Sequence, residues 1–131
     1  DYSRGDGMSE RYVFFTNRIC EIVGEEFPDK WIVYLAYANA SAAPKNITPH
    51  PRLLPVTTTS STFLRWDEWM QSGARHIGAY VHHLGTFTLT PKTDFYQQAK
   101  RIRYMVGSEK LRTYYMECHT QNYISNTKCN C

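Results

Sequence analysis

The sequence predicts an α/β fold, part of a (β/α)8 TIM barrel with about four parallel strands and three helices, on three observations. Short apolar, β-favouring runs alternate along the chain with segments of helical period. No Asn-Gly or Asp-Gly hairpin pair separates those runs, so successive strands are joined by crossovers and run parallel. The 131 residues suffice for one domain, whereas a closed barrel takes about 250. About half a barrel is therefore expected, spanning residues 1–117, with residues 118–131 as an irregular tail.

Each element has its own signal. Residues 9–27 carry Tyr12, Phe15, Ile19, Ile22 and Val23 at the three-and-four spacing of a helix face, with Ser9 as N-cap and Pro28 closing the segment. Residues 31–37 are continuously apolar, the pattern of a strand covered on both faces. Residues 39–51 read as loop because Pro44, Pro49 and Pro51 leave no period. A second strand is expected over 53–58, weakened by Pro55, which lacks a ladder donor. Phe63, Trp66, Trp69 and Met70 mark a second amphipathic helix that Gly73 ends. Residues 76–81 form the third strand. Thr90 as cap and Pro91 at the first helical position open a third helix, with Phe95, Ala99, Ile102 and Val106 as its core stripe and Gly107 as its stop. Residues 110–116 form the fourth strand, and the chain beyond Cys118 turns polar and Asn-rich.

Composition narrows the partners. A hydrophobic content of 42% and an aromatic content of 15% suit a packed core. The longest apolar run, residues 31–38, is far short of the roughly 18 that suggest a membrane span, so no membrane partner is expected. A net charge of +3 with scattered Lys and Arg gives no nucleic-acid footprint. Asp1 in place of Met, with no leader pattern after it, reads as a segment cut from a longer chain. Four cysteines, Cys20 alone and three near the end, make a poor disulfide framework.

In a parallel, barrel-like sheet functional side chains sit where strands end and the following loops begin. That rule selects Tyr37 and Asn39, then Thr58 and Thr59, then His82 and His83, then Glu117 and His119. Glu117 is the sharpest: a carboxylate ending the run Tyr114-Tyr115-Met116 can be partly desolvated toward a pKa useful for acid or base work. His82 and His83 point to opposite faces of a strand, so only one faces a ligand, and adjacent histidines are poor joint zinc ligands. Trp66 and Trp69 belong to a helix stripe and read as core, whereas Tyr37 and Tyr80, near strand ends, are the aromatics expected to meet a ligand. Cys118, His119, Cys129 and Cys131 have the residue types of a zinc site without its spacing, so no metal and no cofactor are expected.

Several blocks in succession resemble a known family. They are Ser9-Glu10-Arg11-Tyr12-Val13-Phe14-Phe15-Thr16-Asn17-Arg18-Ile19-Cys20-Glu21, then Phe27-Pro28-Asp29-Lys30, Leu35-Ala36-Tyr37, and the run from Pro44 through Asn46 and His50 to Pro51. Further along come Trp69, Ile77-Gly78-Ala79-Tyr80, Pro91 and Tyr115-Met116-Glu117. Together they resemble the domain of unknown function 4838, a family that looks like the barrel of alpha-glucuronidases and related glycoside hydrolases. The resemblance runs to about Glu117, which matches the acidic residue closing a late strand. It implies a carbohydrate substrate, a secreted or periplasmic setting and the remainder of the barrel as partner.

Glycoside hydrolysis uses two carboxylates, one as acid and the other as base or nucleophile. Asp67, Glu68 and Asp94 fall on helices or their starts. The second carboxylate is therefore expected outside these residues, and the segment alone is expected to be inactive. Two alternatives remain at this point: a non-catalytic carbohydrate-binding barrel, and a zinc-stabilised interaction domain built on the terminal cysteines.

Overall fold

A computed structural model describes residues 6–59, 62–82 and 94–117. Helix α1 (Asp6–Glu26) leads into strand β1 (Ile32–Ala36), and a short 3-10 turn (Ala38–Ala40) starts the long loop to β2 (Leu53–Thr59). Helix α2 (Thr62–Gln71), β3 (Ile77–His82), α3 (Phe95–Gly107) and β4 (Leu111–Glu117) complete the order. All three strand pairings are parallel and the spatial order is β1-β2-β3-β4. The expected α/β class with four parallel strands and three helices is what the described residues adopt.

A strand order that never reverses requires each crossover to step the same way, which gathers the helices on one face. Val13 and Cys20 of α1, Trp66 and Trp69 of α2 and Met105 of α3 accordingly share one core with Tyr34, Ala36, Leu53, Ile77 and Ala79 of the sheet. Both tryptophans are fully buried, as their helical spacing predicts. Gly73 closes α2 at φ +85°, a left-handed position where a Cβ would also press to 3.1 Å from Thr48 Cγ2. Lys110 then donates to the carbonyls of Met70 and Ala74, at 3.2 and 2.9 Å, tying the end of α2 to the start of β4.

Three sequence expectations are corrected. Helix α1 begins at Asp6, so Ser9 is not its cap; it lies fully buried inside the helix, on a stripe with Val13, Thr16 and Cys20. Small residues on that stripe let the helix approach the sheet, and the Thr16 hydroxyl is satisfied by donating to Tyr12 O at 2.6 Å. Tyr12, Phe15 and Ile22, expected in the core, are exposed. Helix α3 is capped by Asp94, whose carboxylate accepts from the Gln97 amide at 3.0 Å. Thr90 and Pro91 lie outside the described residues. The stripe Phe95, Ala99, Ile102 and Val106 faces solvent while Met105 enters the core. Finally, β1 is covered on one face only: Tyr34 and Ala36 are buried, Val33 and Leu35 exposed.

Pro55 is a full member of β2, fully buried and opposite Tyr34. The pairing of β2 with β3 starts at Val56, just past it, so the missing proline donor falls where the second ladder has not begun.

Candidate functional site

Successive strand residues alternate faces. With Tyr34, Ile77 and Ala79 against the helices, the opposite face carries Leu35, Val56, Gly78 and Thr113 in one register row. The next row toward the C-terminal ends is Thr58, Tyr80 and Tyr115. Tyr80 and Tyr115 stack, ring centroids 4.8 Å apart and planes within 10°. Past them the register pairs His82 with Glu117 at the ends of β3 and β4.

The strand-end rule thus selects two positions, His82 and Glu117, that the fold sets side by side on adjacent strands. Tyr80 lies in the same column, and its stacking partner Tyr115 is a residue sequence reasoning missed. Its signal was present: Tyr80 and Tyr115 each precede a strand's last residue by two. His83, His119 and the cysteines at 118, 129 and 131 lie outside the described residues. Among the described residues no group of His, Cys, Asp and Glu is arranged to hold a metal ion.

Tyr37 and Asn39 occupy the end of β1, away from the His82–Glu117 pair. Tyr37 is extended at φ −129°, ψ 152°, and precedes the turn; both residues are exposed. Ala38 between them sits at φ +49°, a left-handed conformation costly for a residue with a Cβ. Buried side chains hold it there. Tyr34 donates its hydroxyl to Ala40 O at 2.8 Å, and Trp69 donates Nε1–H to Ser41 O at 3.1 Å. Burial pushes the Tyr34 hydroxyl up to about 12, so it remains a neutral donor at ordinary pH.

Asp67, Glu68 and Asp94 have structural partners. Asp67 accepts from the Tyr104 hydroxyl, Glu68 pairs with Arg65 at 2.6 Å, and Asp94 caps α3. Asp67 thereby ties α3 to α2, while Glu68 and Asp94 act within their own helices.

Helix α1 fixes the long loop that follows β1. The Glu10 carboxylate accepts from the amides of Lys45 and Asn46 at 2.6 and 2.9 Å. The Asn17 side chain bridges the same loop, donating to Thr48 O at 2.9 Å and accepting from the His50 amide at 2.8 Å. Two separate sequence blocks, residues 9–21 and 44–51, are therefore one bonded unit.

Residues 1–62 match the model of the domain of unknown function DUF4838. The DUF4838 match includes both bonded blocks, β1 and β2, and ends well before β3. It is shorter than the resemblance read through Glu117. No curated protein and no solved structure matches the chain.

Proposed function

We propose that the chain is part of a carbohydrate-active, glycoside-hydrolase-like barrel of the alpha-glucuronidase type, with Glu117 as its general acid or base. The observation that carries this reading is the register pairing of His82 with Glu117 at the C-terminal ends of two parallel strands, directly past the Tyr80–Tyr115 stack. In (β/α)8 enzymes that end of the sheet is where chemistry is done. A glutamate and a histidine at paired register positions are residue types suited to proton transfer, and tyrosine faces suit a pyranose ring. Tyr37, Asn39, Tyr80, His82 and His83 are the substrate contacts in this reading, and no cofactor is required.

Hydrolysis needs a second carboxylate. None of the other described strand-end positions supplies one, so it would come from the remainder of the barrel. The same fact favours a second reading, a non-catalytic barrel that holds a glycan on its tyrosines. Glu117→Gln in the protein that carries this segment separates the two. Loss of turnover by roughly 10²–10⁴-fold with sugar affinity retained supports catalysis. Near-normal turnover rejects it, and glycan affinity without turnover in the wild type supports the binding barrel.

A further inference from the structure

Each strand of the sheet is entered through a basic residue: Lys30 before β1, Arg52 before β2, Arg75 before β3 and Lys110 before β4. These residues gather at the N-terminal ends of the parallel strands, the length of β3 (Ile77–His82, roughly 20 Å) from the His82–Glu117 end. Helix C-termini lie there too, and their carbonyls account for part of the charge. Lys110 donates to Met70 O and Ala74 O past the end of α2, and the Arg52 guanidinium lies against Gly24 near the end of α1. Lys30 pairs with Asp29 at 2.7 Å. Arg75 and Arg112 are exposed, and none of the ion pairs among the described residues includes either of them.

These two guanidinium groups act on one histidine. Ile77 N donates to Lys110 O at 2.8 Å, which sets His76 beside the start of β4. The half-buried His76 ring meets Trp31 edge-on, with centroids 4.7 Å apart and planes at 63°, and Arg112 Cζ lies 5.9 Å from the centre of the same indole. Residues at the starts of β1, β3 and β4 thus form one contact cluster. Burial first, then Arg112, Arg75 and Lys110, hold the His76 pKa below the usual histidine range, so the ring is neutral at ordinary pH with three cations around it. The acidic groups at this end, Glu21, Glu25 and Asp29, stand on the α1 side of a cavity of about 700 Å³ whose strand side includes Trp31, Arg52 and Arg75. Glu21 and Asp29 already pair with Arg18 and Lys30.

Like charges collected without a counter-charge repel, and a bound anion removes that repulsion. We infer that Arg75, His76 and Arg112 form an anion site at the N-terminal end of the sheet for a tetrahedral dianion, the phosphate or sulfate group of a ligand, with Lys110 as a fixed neighbouring charge. Two guanidinium forks and an imidazole N–H offer donors from three residues, which a tetrahedral oxyanion can accept in several directions and a carboxylate only near its own plane. The site does not depend on the carbohydrate reading, because it lies at the other end of the strands and uses none of the residues assigned there.

The test is an NMR titration of the histidine rings of the isotope-labelled chain in sulfate, phosphate, acetate or chloride at equal ionic strength, with His76 assigned through His76→Gln. Sulfate keeps its double charge throughout, so a pH-dependent change belongs to the protein. Sulfate is expected to raise the His76 pKa by about one unit over chloride, to bind more tightly as pH falls through that pKa, and to bind more tightly than acetate. Phosphate beside sulfate shows which of the two groups is preferred, and a preference for either supports the site. Arg75→Ala and Arg112→Ala are each expected to raise the His76 pKa in chloride and to weaken sulfate by roughly 3–10-fold; a cluster with a structural role alone shows the first effect without the second. Unchanged amide spectra away from the substitutions establish that the variants fold, and if Arg112→Ala, which loses the Trp31 contact, does not, Arg75→Ala carries the test. Sulfate no more effective than chloride, or acting equally on wild type and Arg75→Ala, overturns the site, as does acetate binding as tightly as sulfate.

Discussion

Replacing Gly78 by alanine tests the register on which the site depends. Gly78 lies in the middle of β3 on the face away from the helices, between Val56 of β2 and Thr113 of β4. A Cβ built there would stand 2.6 Å from Thr113 Cγ2 and 2.8 Å from Val56 Cγ2. Both are far inside van der Waals contact, and both belong to β-branched side chains with little rotamer freedom. Neither methyl can swing aside, so the strands must spread or the side chains leave their rotamers. Overpacking of this kind costs about 1–3 kcal/mol, or a fall in Tm of about 3–5 °C per kcal/mol for a chain of this size. Urea and thermal unfolding of Gly78→Ala measure the loss directly. Thr113→Ser removes the closer methyl and should recover part of it in the double variant, an interaction energy that appears only if residues 78 and 113 are neighbours. A Gly78→Ala variant as stable as wild type, with no coupling to Thr113, would refute the register and with it the adjacency of His82 and Glu117.

Other substitutions have smaller scope. Gly107→Ala meets nothing within 4 Å and sits at the end of α3, so it should leave stability unchanged or raise it by up to about 1 kcal/mol, read by urea midpoint. Asn17→Ala leaves the part-buried His50 amide and Thr48 carbonyl without their partner, at a cost of about 1–3 kcal/mol, and faster hydrogen exchange at His50 should accompany it. Ala38→Gly relieves the positive φ and should stabilise the fold by roughly 0.5–1 kcal/mol; a loss of stability would mean that Ala38 carries no strain. Tyr34 titrates at about 12 in the fold against 10.0 for an unperturbed tyrosine. Folding disfavours its ionised form, so its contribution is intact below pH 10 and lost as pH rises through about 12. The stability gap between wild type and Tyr34→Phe should narrow over that window, and a gap independent of pH would contradict the shift.

How far the sequence discloses the fold depends on where each side chain's environment is decided. Helix α2 is legible because its largest residues, Trp66 and Trp69, have no other place to be buried, and Gly73 marks its end by a conformation few residues tolerate. The faces of α1 and α3 are not legible. In α1 the buried stripe is Ser9, Val13, Thr16 and Cys20, chosen by how closely a helix can approach a sheet and not by hydrophobicity. In α3 two capping signals compete, and Asp94 shows that a carboxylate four residues later performs the task assigned to Thr90. Parallel pairing follows from the absence of hairpin turns, but which residue of β3 meets which of β4 is a long-range matter with an irregularity between Ile77 and Gly78. The strand-end rule therefore finds His82 and Glu117 separately and cannot find that they are partners.

The two flanks of the site stand in different relation to DUF4838, and this makes them separable. Residues 1–62 hold Tyr37, Asn39 and the strained Ala38, together with the Glu10 and Asn17 contacts that fix the loop behind them. Tyr80, His82, Tyr115 and Glu117 all fall beyond the matched segment. The match of the first part to that family model is therefore no argument for chemistry at the second, and the case for Glu117 rests on strand geometry alone. The converse also holds. Glu10 and Asn17 donate to or accept from backbone atoms of a loop, so their place in the matched blocks is accounted for by architecture, without a catalytic role. If a sugar binds at the β1 flank while Glu117→Gln changes neither affinity nor turnover, the chain is a binding scaffold whose recognition residues lie in its matched segment. If Glu117→Gln abolishes turnover while Tyr37→Ala only weakens sugar binding, recognition and catalysis are divided between the flanks.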